Sequence, residues 1–315
     1  MPLKFLHPRF WLIWFGIALL RLIVLLPWHW QMSIGKGLGI LLYHASPSRR
    51  KVSCVNLSIA FPSLSGEELT KLNKEHFISL GQSLMDSALS WWGSDAQVKK
   101  VTHIEGIESF QQAINEGRVM LVGAHFNSME IGGRIFASQA PIHAVYRPHQ
   151  NELLEYMVAK KRTEHYGKTI SKYKIRDMIK SIKNGDAAWY ATDQNFRAKG
   201  SMLIPFFGVD APTNPSTHRL SKMMKAKVIP IFTMRLMGDA SDKRKGYLLR
   251  LLPPLENFPT DDDYQDVLRL NQIIEEQIKE FPAQYLWSHK RYKHYTSENK
   301  NFYKDFLRNN ETGCS

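Results

Sequence analysis

Between Val119 and Leu252 the chain returns five times to a short apolar run: Val119–Ala124, Ile142–Tyr146, Ala187–Thr192, Val228–Thr233 and Tyr247–Leu252. Continuous apolar runs of this length fit strands buried on both faces, and such strands belong to parallel sheets covered by helices. The intervening text is helical in several places, notably Glu152–His165 and Ile175–Asn184, the second closed by Asn184-Gly185. A last helix is expected over Asp261–Glu280, stopped at Phe281-Pro282. Upstream, Ser65-Gly66-Glu67-Glu68 reads as a capped helix start, and apolar residues at helical spacing follow from Leu69 to Trp92. Strands alternating with helices predict an α/β domain built on a largely parallel central sheet flanked by helices. Two cysteines, Cys54 and Cys314, are too few for a disulfide framework or a cysteine-based zinc site.

Before that domain comes a segment of different character. Phe10 to Leu26 is apolar apart from Gly16 and Arg21, and Trp11, Trp14, Trp28 and Trp30 cluster at its ends. Seventeen residues of helix reach roughly 25 Å, the short limit for a bilayer core. Indole rings favour the headgroup level, and Arg21 can snorkel to it. The expectation is a membrane anchor helix over residues 1–35, spanning the bilayer or lying deep in one leaflet. A cleaved leader fits less well, since no small-residue cleavage site follows, and a buried core helix is the plain alternative. Pro47-Ser48-Arg49-Arg50-Lys51 reads as a basic, turn-forming link into the remaining domain, expected over 36–300, with 301–315 as a tail.

Charge supports the membrane reading. Lys+Arg number 42 and Asp+Glu 29, a formal charge of +13 that calls for a negative partner: nucleic acid, lipid headgroups or an acidic protein. No acid precedes Glu67, whereas Lys4, Arg9, Arg21, Lys36, Arg49, Arg50 and Lys51 all do. Cations wrapped around an apolar run suit an anionic lipid surface. No nucleic-acid-binding motif appears, so nucleic acid is not an expected partner.

The residues placed to carry chemistry are His125-Phe126-Asn127-Ser128-Met129-Glu130, directly after the Val119–Ala124 run. Ligands of open α/β sheets bind outside the carboxyl ends of strands, where His125 falls. A carboxylate on one imidazole nitrogen fixes the tautomer and raises the basicity of the other, which can then take a proton from a hydroxyl. Glu130 meets His125 only if the histidine precedes a helix whose first turn holds the glutamate, since five helical residues set them about 140° apart. The chain has no Gly-x-Ser-x-Gly nucleophile elbow, so the hydroxyl would be the substrate's. The plain alternative is a histidine bonded to backbone at a helix start. No His-Glu-x-x-His motif or second ligand at helical spacing argues for a metal.

Several ordered blocks give the sequence a resemblance. Arg49-Arg50, Asn56-Leu57 and Phe61-Pro62 are followed by Gly123-Ala124-His125 with Glu130, and by Tyr146-Arg147-Pro148. Then come Lys161-Arg162, Trp189 to Gln194, Pro205-Phe206-Phe207-Gly208, and the closing Tyr285-Leu286-Trp287-Ser288-His289-Lys290-Arg291-Tyr292-Lys293. Over most of its length the chain resembles the bacterial lipid A late acyltransferases, the lauroyl/myristoyl transferase family. The resemblance implies a glycerophosphate-acyltransferase-like fold in the bacterial inner membrane, its catalytic domain on the cytoplasmic side. It implies transfer of a fatty acyl chain from acyl carrier protein to a hydroxyl of an acyl chain on a phosphorylated lipid A precursor, without a cofactor.

In that scheme His125 is the general base, Glu130 orients it and Arg162 helps bind the oxyanion. Arg147 lines the cleft or neutralises phosphate, and Asp193, just past the Ala187–Thr192 run, lies at the substrate or in the structure behind it. Lys290 and Arg291, with Lys293, are candidates for contacts with the acidic carrier. Tyr292 stands where the family more often has Phe, and the residues between His125 and Glu130 are variable. Competing readings are an acyltransferase of glycerol phosphate or lysophospholipid, and a non-catalytic scaffold of the same fold. Such acyltransferases more often carry Asp at the Glu130 position and lack the closing block.

Overall fold

The structure, a computed structural model, describes residues 2–166, 168–171, 173–238, 242–293 and 302–309. Residue 301 and residues 310–315 of the expected tail, Cys314 among them, lie outside them. Two 3-10 turns, Leu3–Leu6 and Pro8–Phe10, lead into α1 (Trp11–Ile23), α2 (Trp28–Ala45), α3 (Pro47–Ala60) and α4 (Gly66–Trp92). Alpha-helix α4 begins on the expected cap: the Ser65 side chain accepts from Glu68 N, while the Glu68 carboxylate accepts from Ser65 N. The basic link is not a loop. Pro47 occupies the first turn of α3, where its fixed φ and missing N–H cost nothing, so the basic residues ride on a helix.

The apolar segment is shorter than its sequence suggested. Helix α1 has 13 residues and stops ahead of Pro27. It is about 20 Å long against the ~30 Å of a bilayer core. No helix among the described residues is long and apolar enough to cross a membrane, which corrects the spanning alternative. Residue 35 falls inside α2 rather than at a boundary. Leu12, Phe15, Leu19 and Leu22 repeat at helical spacing along one face of α1 and are exposed. The other side packs inward: Ile17 is buried, and Leu20 packs against the cluster of Ile23, Met32 and Met85. Only two of the four tryptophans face outward: Trp11 and Trp30 are exposed, while Trp14 donates to Phe5 O and Trp28 to the Tyr247 hydroxyl.

After α5 (Asp95–Lys100) the α/β domain runs β1 (Thr102–Glu105), α6 (Ile107–Glu116), β2 (Val119–Gly123), α7 (Met129–Ala137), β3 (Ile142–Tyr146) and α8 (Glu152–His165). It continues with β4 (Lys168–Ser171), α9 (Ile175–Lys183), β5 (Ala187–Ala191), the hairpin β6 (Met202–Phe206) and β7 (Val209–Thr213), and α10 (Ser216–Met224). The chain then forms β8 (Lys227–Met237), β9 (Lys245–Leu251), α11 (Asp263–Glu280) and, after the closing block, α12 (Phe302–Asn309). Seven strands form one sheet in the order β1-β9-β8-β2-β5-β3-β4, parallel except where β9 runs against β8. The β6–β7 hairpin stands apart, turned by Phe207 and Gly208, both at positive φ.

Alternation along β2 separates two cores. Val119 and Leu121 pack with Val24, Leu89 and the Ile131 and Ile135 face of α7. Met120 and Val122 pack on the other side with Met178 and Ile182 of α9 and Leu220 and Met224 of α10. A buried ion pair between Arg235 of β8 and Asp86 of α4 locks the N-terminal helices to the sheet, with the Tyr247 hydroxyl donating to Asp86 at 2.6 Å.

Candidate active site

Strand register brings the key pair together. β2 and β5 are neighbours with Gly123 level with Ala191, so two residues further on His125 and Asp193 emerge abreast at the carboxyl edge of the sheet. His125 Nδ1 lies 2.7 Å from Asp193 Oδ1, and the His125 backbone N–H donates to Asp193 Oδ2 at 3.0 Å. The carboxylate is almost fully buried, whereas a quarter of the imidazole is exposed. Nδ1 and the backbone amide are engaged, and Nε2 has no protein partner among the described residues.

Burial alone would pull the His125 pKa down, but the Asp193 charge and hydrogen bond outweigh it and leave it raised above 6.5. Burial pushes Asp193 up, yet the adjacent imidazole and its hydrogen bonds hold it at about 2. Nδ1 is therefore tied to an ionised carboxylate, and the free nitrogen is the basic one.

Glu130, expected beside His125, makes no hydrogen bond to it; Asp193 holds the imidazole instead. Glu130 sits in the first turn of α7 and turns toward α8, where its carboxylate binds Arg162 through Nε at 3.1 Å and Nη2 at 2.5 Å. Trp91 Nε1 donates to the same carboxylate at 2.8 Å, and the Tyr166 hydroxyl donates to the Glu130 carbonyl at 3.0 Å. Burial would raise Glu130, but Arg162 prevails and holds it below the ordinary carboxylate range. Both side chains are nearly buried, and the Arg162 guanidinium stacks over the Tyr146 ring at 5.2 Å.

His125, Glu130 and Arg162 share one cavity of about 830 Å³ that opens at the strand ends. Its inner wall is apolar, made by Gly132, Gly133, Phe136, Trp189, Ile231 and Leu249. Glycine is required at 132, where a Cβ would lie 1.9 Å from Thr233 Oγ1. Its outer part carries Arg147, His149, Asn195, Asn214 and His289. Burial pushes His289 down to about 4, leaving a neutral ring whose Nε2 accepts from Asn195 N. Asp193 lies behind His125, bonded to its Nδ1 and outside the cavity lining.

The closing block binds the His125 loop by its backbone. Leu286 N donates to His125 O, Asn127 N to Gln284 O, and Asn56 Nδ2 to the carbonyls of Trp287 and His289. Arg291 is not a surface cation as expected. It is 2% exposed and donates to Pro212 O and Thr213 Oγ1, bracing the β6–β7 hairpin. Lys290 is exposed, its ammonium over the Tyr303 ring, and Lys293 is exposed as well.

A histidine–carboxylate pair thus faces a cavity whose inner wall is apolar. No serine or cysteine bonds to His125 among the described residues. The chain belongs to the bacterial lipid A biosynthesis acyltransferases, which transfer acyl chains to a lipid A precursor: the family's model matches residues 2–294. It is 37% identical over 292 residues to the lipid A biosynthesis palmitoleoyltransferase of Escherichia coli (strain K12), covering 92% of this chain and 94% of that one. The lauroyltransferase of the same strain is 34% identical over 290 residues, covering 91% and 93%. The myristoyltransferase is 26% identical over 288 residues, covering 90% and 87%. Among solved structures, a 1-acyl-sn-glycerophosphate acyltransferase from Thermotoga maritima aligns with a TM-score of 0.37 and 10% identity, over 81% of this chain and 99% of that one.

Proposed function

We propose that this acyltransferase takes its acyl chain from an acyl carrier protein thioester and delivers it to a hydroxyl on the lipid A precursor, with His125 as general base. The observation that carries the proposal is the His125–Asp193 pair, one imidazole nitrogen tied to a buried carboxylate and the other without a protein partner in the cavity. Nε2 takes the hydroxyl proton as the oxygen attacks the thioester carbonyl. The tetrahedral oxyanion forms, the C–S bond breaks, and the proton on His125 passes to the departing thiolate. Atoms balance with no other reactant.

Arg162 faces the same space. Glu130 holds its Nε and Nη2, which leaves Nη1 without a protein partner among the described residues and able to donate to the oxyanion. Glu130 acts by aiming and retaining that guanidinium. Arg147, exposed at the cavity mouth, meets phosphate of the acceptor. The apolar inner wall receives the acyl chain.

The enzyme is placed by this reading at the bacterial inner membrane, facing the cytoplasm; the exposed apolar face of α1 and the cations beside it support contact with an anionic membrane surface. The helix lies within one leaflet rather than across the bilayer. The test is a reaction of purified full-length protein with a fatty acyl carrier protein and a lipid A precursor, read by mass spectrometry. One acyl group gained as an ester, with free carrier thiol released, is expected. His125→Ala should lower turnover by about 10³-fold or more while keeping the fold. Near-normal turnover by that variant would overturn the base assignment.

A further inference from the structure

Cations that no part of the proposed chemistry uses gather on one side of the cavity mouth. Tyr173 and Ala198, both exposed, line the cavity. Lys174 and Arg176 follow the first, and Arg197 and Lys199 flank the second. Arg219 of α10 completes the group: a Cβ on Gly200 would lie 2.9 Å from its Nη1, so its guanidinium packs against the loop that holds Lys199. All five are exposed, and none of them pairs with a carboxylate among the described residues. Some other surface cations do: Lys4, Lys161, Lys222 and Lys227 are each bonded to an acid. Along α9 the positive face extends to Lys180 and Lys183, against a half-buried Asp177.

The position of this rim indicates what it meets. Helices α9 and α10 cover the face of the sheet built on Met120 and Val122. The exposed apolar helix α1 is followed by Val24, which packs on the opposite face, with Val119 and Leu121. A bilayer touching α1 therefore lies across the sheet from the basic rim, and what approaches the rim comes from the aqueous side. Among the described residues, the large apolar side chains exposed near the rim are Tyr173, Leu203 and Met223, which are scattered singly among the cations, so charge is the rim's main means of recognition.

We infer that Lys174, Arg176, Arg197, Lys199 and Arg219 form the docking surface for an acidic carrier protein, which delivers its thioester into the cavity past Tyr173 and Ala198. This rests on the carrier-donor reading above and assigns it a surface. It also replaces Arg291, whose guanidinium is buried, as a steering residue. Charge complementarity of this kind accelerates encounter and weakens with salt.

The test uses detergent-solubilised full-length protein and the variants Arg176→Glu/Lys199→Glu and Arg219→Glu, with Arg176→Lys/Lys199→Arg as the charge-conserving control. Donor and acceptor are varied separately. The charge reversals should raise the KM for the acyl carrier protein about tenfold or more at low salt, with kcat at saturating donor and the KM for the lipid acceptor unchanged. The gap should close as sodium chloride is added, and the conserving variant should match wild type.

An unchanged donor KM in an active protein would overturn the inference alone. A rise in acceptor KM would assign the rim to lipid phosphate, and reduced binding to anionic vesicles with unchanged donor KM would assign it to the membrane; either overturns it. Wild-type protein that ignores the carrier thioester but uses another acyl thioester would overturn the donor reading, and this inference with it.

Discussion

At the scale of single residues, two carboxylates divide between two partners. Asp193 serves His125 and Glu130 serves Arg162, although the sequence places Glu130 beside the histidine and Asp193 far along the chain. The division makes Glu130 a fold-stabilising group as well as a positioning one. Glu130→Ala leaves the nearly buried Arg162 uncompensated, which should cost about 3–5 kcal/mol of unfolding free energy. A double-mutant cycle measured by denaturant unfolding should show strong coupling of Glu130 to Arg162 and none to His125. Strong coupling to His125 would contradict the assignment. Asp193 was hard to read as the orienting group because its role depends on which strands are neighbours. Only the β2–β5 register sets residues 125 and 193 side by side, and no local spacing reports it. Arg291 was misread for a similar reason: in sequence it is one of three basic residues in a row of four, and burial alone distinguishes it.

Among elements, the five apolar runs and the capped helix at Ser65 were legible because buried strands and capping boxes depend on local chemistry. The antiparallel turn of β9 against β8 was not, since its pairing rests on long-range order. Nor was the length of the first helix, because it stops at Ile23 while the apolar stretch runs on to Leu26, ahead of Pro27. What joins α2 to α4 is a glycine contact. A Cβ on Gly39 would lie 2.3 Å from Phe77 O, and one on Gly81 would lie 2.2 Å from Gly35 O. Backbone this close cannot give way as a flexible side chain can. Gly81→Val should therefore destabilise the protein by about 1–3 kcal/mol or more and separate the N-terminal helices from α4. Thermal unfolding and protease sensitivity near residue 81 would report it, and a wild-type melting profile would contradict the close crossing.

For the whole molecule, the sheet edge holds the histidine at an apolar-walled cavity, with an apolar helix face and a basic rim on opposite sides of the sheet. The apolar face predicts membrane binding without a span. Leu12→Glu/Phe15→Glu/Leu22→Glu should abolish co-flotation with anionic vesicles, since each side chain withdrawn from lipid forfeits about 1.5–3 kcal/mol. Flotation at the wild-type level would show that α1 is not the contact. Everything downstream depends on His125 being a base made strong by Asp193 rather than by Glu130, and pH tells the two apart. His125 must be neutral to accept a proton, and its pKa is raised, so wild-type kcat/KM should fall as pH drops through a value above 6.5. In Asp193→Asn, burial is unopposed: that acid limb should move below 6.5 and kcat should fall roughly 10²–10⁴-fold. Glu130→Gln should lose activity with its acid limb in place. The most direct measurement is the pH dependence of kcat/KM for these three proteins. A limb that shifts only in Asp193→Asn is the predicted result, and one that shifts only in Glu130→Gln would contradict the account.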